Sequence, residues 1–216
     1  MTAWPRGRWL PLTVLVVAVA ALIASLVWVT GSGGGHHGPR GPYAPRTMVG
    51  AVTHEGPVRT LADADRAAGR FAERWNLHVG EVMQFSNGYY AELLGPDGKG
   101  ATEVLVDPGG TVRPEFGPAM MWNTAYGMMP AGAGAGTGTP VIGADRAVRI
   151  ADQWLREHRP ALHAAEPEAF PGYYTLHTLR GDRITGMLSV NSYTGAVWYH
   201  TWHGRFLGMQ DHPAGR

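Results

Sequence analysis

Two stretches of the chain read as copies of one another, and a duplication constrains architecture before any single motif does. Asp65-Arg66-Ala67 opens a helical pattern that reaches Trp75, and Phe85 and Gly88-Tyr89-Tyr90 follow. Asp145-Arg146-Ala147 opens a second pattern that reaches Trp154, followed by Phe170 and Gly172-Tyr173-Tyr174. The distance from the second tyrosine to a valine leaving a later turn (Val112, Val197) differs by one residue between the copies.

In the first copy Leu61, Ala64, Ala68, Phe71 and Trp75 recur at steps of three and four, which places them on one apolar helical stripe. Thr60 is positioned to cap that helix, and Asp63 and Asp65 suit its positive end. Strands are predicted over 82–85, 89–94 and 101–106, with turns at Pro96-Asp97-Gly98 and Asp107-Pro108-Gly109-Gly110, and Pro114 cuts the last strand short. The second copy repeats the helix through Ala144, Ala147, Val148, Ala151, Trp154 and Leu155, ending before Pro160. Strands are predicted there over 173–179, 183–190 and 196–203. The fold class expected is α+β: two helix-plus-antiparallel-sheet repeats, each a three-stranded sheet under one helix. Units of roughly 60 residues are marginal alone, so the copies should pack into one body.

The amino terminus adds a different element. Leu10 to Val29 is almost unbroken Leu, Val, Ala and Ile, and about 20 such residues at about 1.5 Å each cross a hydrocarbon core of roughly 30 Å. Trp9 and Trp28 fall at its two ends, and Arg6 and Arg8 precede it closely. That asymmetry predicts a single-pass anchor in the cell membrane with a cytoplasmic amino terminus and the remainder extracytoplasmic. A cleaved signal peptide is the competing reading, but the apolar run is long for one and Ala-Ser-Leu-Val-Trp-Val is a poor small-x-small site. The domain plan is thus a tip and anchor over 1–30, a Gly/His/Pro linker over 31–58, a first repeat over 59–129, a Gly/Ala linker over 130–142 and a second repeat over 143–210.

Composition excludes several function classes. No cysteine means no disulfide, thiolate metal site or cysteine nucleophile, and a net charge of +1 without a basic stripe argues against nucleic acid. No His-Glu-x-x-His helix, Walker loop or Gly-x-Ser-x-Gly elbow occurs. Glu81, Glu92, Glu103 and Glu115 read as scattered, at no spacing diagnostic of acid–base work. The chain is therefore not expected to be an enzyme.

Gly186-Met-Leu-Ser-Val-Asn-Ser-Tyr-Thr-Gly-Ala-Val-Trp198, behind a helix and a Gly-Tyr-Tyr strand, resembles the PepSY family, in which an Asp/Asn-x-x-Thr-Gly-x-Val turn follows a short helix and a strand pair. The second copy carries the resemblance from about 144 to 202, and Asp107-Pro-Gly-Gly-Thr-Val112 stands at the matching turn of the first. The resemblance implies a binding or regulatory module that restrains an envelope protein partner, with no shared catalytic set. The rival expectation is a metal-handling protein. Trp198-Tyr-His-Thr-Trp-His-Gly204 offers His200 and His203, and with Met187, Met209 or the Met120-Met121 and Met128-Met129 pairs such a set suits copper better than structural zinc. On a regular strand, however, His200 would share a face with Trp198 and Trp202 while His203 points the other way.

Overall fold

Thr60 begins the first helix by a reciprocal cap. Its hydroxyl accepts from the Asp63 backbone N–H at 3.1 Å, and the Asp63 carboxylate accepts from the Thr60 N–H at 3.0 Å. Two donors that the helix would leave unpaired are thereby satisfied. The helix, α1 (Leu61–Glu73), buries Ala64, Ala67, Ala68, Phe71 and Ala72. Thr60→Ala should lower the unfolding free energy by about 1 kcal/mol, read as a shift of the urea midpoint at constant slope. An unchanged midpoint would mean that the cap carries none of the helix's stability.

The structure, a computed structural model, describes residues 47–48, 50–128 and 140–212. The anchor expected over 10–29, the first part of the 31–58 linker and residues 130–139 of the Gly/Ala linker lie outside the described residues. All described residues belong to one compact unit, Pro45–Arg216. Among them, no helix is long and apolar enough to cross a membrane.

The protein is α+β with two antiparallel sheets. In chain order the elements are β1 (Thr53–His54), α1, β2 (His78–Phe85), β3 (Gly88–Leu94), β4 (Gly100–Val106), β5 (Thr111–Pro114), a short α2 (Pro118–Met121), α3 (Ala144–His158), β6 (His163–Phe170), β7 (Tyr173–Arg180), β8 (Arg183–Asn191), β9 (Val197–Tyr199) and β10 (Phe206–Gln210). The first sheet has the order β1-β5-β4-β3-β2-β10, and the second β6-β7-β8-β9. Each half is thus a helix followed by four antiparallel strands, one strand more than the periodicity predicts. The added strand of the second half, β6, reads His-Ala-Ala-Glu-Pro-Glu-Ala-Phe, with no β-branched residue to announce it.

The two halves match in register as well as in order. The first hairpin of each carries an irregularity at the same place, between Val79 and Val82 in one and between Ala165 and Glu168 in the other. Phe85 pairs with Gly88, and Phe170 with Tyr173. The identical Gly-Tyr-Tyr triplets are therefore offset by one residue: Tyr89 and Tyr174 face the helices, whereas Tyr90 and Tyr173 face away from them. A one-residue slip moves every side chain to the opposite face, and here it sends a tyrosine from each half toward the other sheet.

α1 covers one face of the first sheet over Val82, Tyr89, Ala91, Val104 and Val106. α3 buries Ala147, Ala151 and Leu155 against Leu176, Leu188 and Val190 of the second. The remaining faces meet each other. Met83, Phe85, Tyr90 and Leu105 of the first sheet pack with Met187 of the second, and Phe170 and Tyr173 form an adjoining cluster with Ala119. The order of layers is helix, sheet, sheet, helix.

Two departures from expectation concern segment ends. The described part of the 31–58 stretch is built into the fold: Met48, Thr53 and Val58 are buried, and β1 pairs with β5. Gly110 permits this at φ +91°, since a Cβ there would stand 1.8 Å from the Gly56 carbonyl oxygen. The strand expected over 196–203 stops at Tyr199. The Ser86-Asn87 turn draws the chain across, Asn87 accepting from the Gly204 N–H at 2.6 Å and donating to the Trp202 carbonyl at 2.7 Å. β10 then pairs with β2 in the first sheet, Phe206 opposite Phe85 and Gln210 opposite Val82.

Candidate functional site

The four glutamates that look scattered in sequence form a row across the first sheet. Glu92 and Glu103 are cross-strand partners. Glu81, in the irregular stretch of β2, donates its backbone N–H to the Glu92 carboxylate at 3.3 Å, and the Glu115 N–H donates to the Glu103 carbonyl at 2.9 Å. Hairpins of similar length return the chain to the same rung each time. The signal was present as steps of 11, 11 and 12 residues from Glu81 to Glu115, and it becomes meaningful only once strand pairing is included.

The row faces the second sheet. Glu103 is fully buried there and accepts three hydroxyl hydrogen bonds, from Tyr90 at 2.8 Å, Tyr173 at 2.7 Å and Thr175 at 2.8 Å. Burial raises its pKa against the opposing pull of those donors. The chain continues from Thr175 to the Ser189 hydroxyl at 2.9 Å and from Ser189 to His200 Nε2 at 2.9 Å. Glu115 accepts from the Gly117 and Ala119 backbone N–H groups at 2.8 and 3.1 Å, and burial, then the nearby Glu103, pushes it up to about 8.

Toward the other end of the row the sheets part around a cavity of about 330 Å³. Glu81 and Glu92 line it from the first sheet, Glu166, Glu168, Thr175 and His177 from the second. The His177 ring bridges the sheets, with Nδ1 2.7 Å from Glu166 and Nε2 3.2 Å from Glu81. Burial alone would lower the His177 pKa, but the hydrogen bonds and charges of Glu81 and Glu166 outweigh it and the net shift is upward. Glu92 is 9 % exposed, and its Oε1 is buried without a hydrogen-bond partner. Burial, then the charge of Glu168, raises Glu92 to about 8, and burial raises Glu168 as well. Glu166 and Glu168 are exposed at the opening, and no lysine or arginine lines the cavity among the described residues.

The residues singled out for metal occupy a different part of the same interface. His200 is fully buried, and burial, then the neighbouring His203, lowers its pKa to about 3. His203 stacks on Phe85 with ring centres 4.5 Å apart, and its Nδ1 lies 3.0 Å from the Gly204 carbonyl. Because β9 ends at Tyr199, strand alternation does not separate the two: both imidazoles pack against Trp202, at 5.8 and 5.3 Å between ring centres. Met209 packs at the edge of the same apolar cluster. His200 Nδ1 and His203 Nε2 are buried without hydrogen-bond partners. Among the described residues, no group of three His, Asp or Glu side chains converges as a metal site. Met121 and Met128 are exposed rather than packed, and Met129 lies outside the described residues.

His177, Glu166 and Glu168 were not singled out by sequence reasoning, because their role depends on how the two sheets face one another. The chemistry available in the cavity is that of carboxylates held close together with the shared His177 imidazole and a second one, His212, suited to cations and to proton exchange. A scan against protein-family models, a search of curated proteins and a search of solved structures each find no match to the chain.

Proposed function

We propose that the protein is a membrane-anchored, extracytoplasmic binding module of the kind its resemblance to PepSY domains implies, and that the cleft between its sheets receives part of an envelope protein partner. The observation that carries this reading is the cleft: a cavity of about 330 Å³, within the size range of pockets that hold ligands, with an unpartnered buried carboxyl oxygen at its wall. The apolar run over Leu10–Val29 supplies the anchor. A raised carboxyl in a cleft also serves acid–base catalysis. The hydroxyls of Tyr90 and Thr175, however, are already committed to Glu103, which favours binding over nucleophilic chemistry.

Photo-crosslinking in intact membranes tests the reading. A photo-reactive residue replacing Glu166 at the opening should trap one discrete envelope protein, whereas the same residue replacing exposed Arg156 on α3 should not. Equal labelling from both positions, or none from Glu166, would remove the cleft as the partner site.

A second reading is favoured by one observation, the two buried imidazole nitrogens without partners. If the module instead handles copper through His200, His203 and Met209, titration of the full chain with copper should show stoichiometric binding that His200→Ala and His203→Ala abolish. Binding unaffected by both substitutions, or no binding, retires it.

A further inference from the structure

The inter-sheet cavity is lined by five carboxylates, Glu81, Glu92, Glu166, Glu168 and Asp211, against two imidazoles, His177 and His212. Two of its carboxylates, Glu81 and Glu166, share the His177 ring. Of the other three, Asp211 adjoins His212, whose ring pairs with Asp65 outside the cavity, while Glu92 and Glu168 lack such a partner: Glu168 elevates Glu92 through like charge, and among the described residues no lysine or arginine reaches the cavity lining. Glu92 is more than nine-tenths buried, lines the cavity and has an oxygen that nothing in the fold satisfies. Leaving such a group unmet is costly, so the site is built for an incoming donor. The wall beside it is apolar, made by Tyr90, Leu94 and Met187.

Carboxylates and an aliphatic and aromatic surface in one cavity, with room for a chain of several heavy atoms, define the complementary group. From this the geometry points to a primary alkylammonium, a lysine-type side chain, as the group that the cavity binds, with Glu92 and Glu168 taking the ammonium and the apolar wall its methylenes. This inference rests on the reading that the cleft is the binding site, and it adds the chemistry of what enters. A bare divalent ion fits less well, since the carboxylates do not converge as a metal site among the described residues.

Binding should also move a proton. At neutral pH Glu92 is largely protonated, and an ammonium beside it favours the charged form, so occupancy should release that proton. The groups that face Glu92 in this process are Glu81 on β2, Glu103 on β4, Glu166 and Glu168 on β6, His177 across the cavity on β7, and Asp211 and His212 just past β10.

Calorimetry on the purified full chain in detergent tests this with four probes: 1,5-diaminopentane, an acetyl-Gly-Lys-Gly-amide peptide, calcium and manganese. The expected result is binding of an amine probe at pH 7, with a heat that varies with buffer ionisation enthalpy, at least tenfold weaker in Glu92→Gln and in Glu168→Gln. Glu157→Gln, on the exposed face of α3, should bind like the parent. Preference for the peptide assigns the site to a partner's lysine, and preference for the diamine assigns it to a free amine. Failure of both amines, undiminished amine binding in Glu92→Gln, or binding of the divalent ions in their place would overturn the inference. Glu92→Gln replaces a largely neutral carboxyl by an amide of the same shape and should stay folded, so its melting curve separates lost binding from lost structure. Partner capture at Glu166 together with no amine binding would sink only the ammonium assignment, whereas amine binding without capture would sink only the protein partner.

Discussion

Glu103→Ala should lower the unfolding free energy by about 3–5 kcal/mol, because it deletes a buried acceptor and strands its donors. Three hydroxyls from two sheets converge on that carboxylate, those of Tyr90, Tyr173 and Thr175, and all three residues are buried. The void left by the truncated side chain adds to the loss. Proton order along the chain explains why the arrangement is unforgiving. With Thr175 donating to Glu103, Ser189 donates to Thr175 and His200 donates to Ser189 through Nε2–H, which leaves His200 Nδ1 as a bare acceptor, in agreement with its lack of a partner. Glu103→Gln keeps one acceptor oxygen and should lose distinctly less. Urea unfolding of the full chain measures both. A loss below about 1 kcal/mol for the alanine variant would mean that the carboxyl does not join the sheets.

The second large effect is a fall in stability on the alkaline side. Glu92 and Glu115 have folded-state pKa values raised from 4.5 to about 8. A group raised in this way stabilises the fold fully below its unfolded value and loses that contribution as pH climbs toward its folded value. His177, raised as well, acts in the same sense. His200, lowered from 6.5 to about 3, acts oppositely: its contribution is complete above 6.5 and disappears on acidification. Between pH 6.5 and 8 nothing opposes the carboxyls, and at about 1.4 kcal/mol per pH unit each contributes a loss on the order of 2 kcal/mol. Urea midpoints at the two pH values should show the drop, and Glu92→Gln should remove on the order of 2 kcal/mol of it. A flat profile for the parent, or an unchanged slope in Glu92→Gln, would show that Glu92 is not held neutral.

How far such features can be seen in advance depends on whether they are local. The apolar stripe of α1 and its Thr60 cap are local and were legible residue by residue. The α3 stripe was equally plain. β6 was not, since Pro167, two glutamates and three alanines deny it any strand preference, and it exists because α3 and β7 hold it in place. The tyrosine triplets misled by one position, because turn length rather than residue identity sets hairpin register. The glutamate row lay between: its spacing was in the sequence, but its meaning required the pairing of β2, β3 and β4. The cavity needed a further level, the packing of one half upon the other, and no periodicity reports that. The histidines near the carboxyl end illustrate the same limit. Strand alternation separated them, and the early end of β9 brought them back onto a common tryptophan.

β10 has a consequence for synthesis. The edge of β2 that it covers is made early, whereas Phe206–Gln210 leaves the ribosome more than a hundred residues later. Throughout that interval a nascent chain presents an undressed strand, the kind of edge that recruits neighbouring polypeptides. Maturation must therefore wait for the last clasp to close. Anything that delays the arrival of Phe206–Gln210 should show first as aggregation of newborn chains rather than as a fault in the finished molecule.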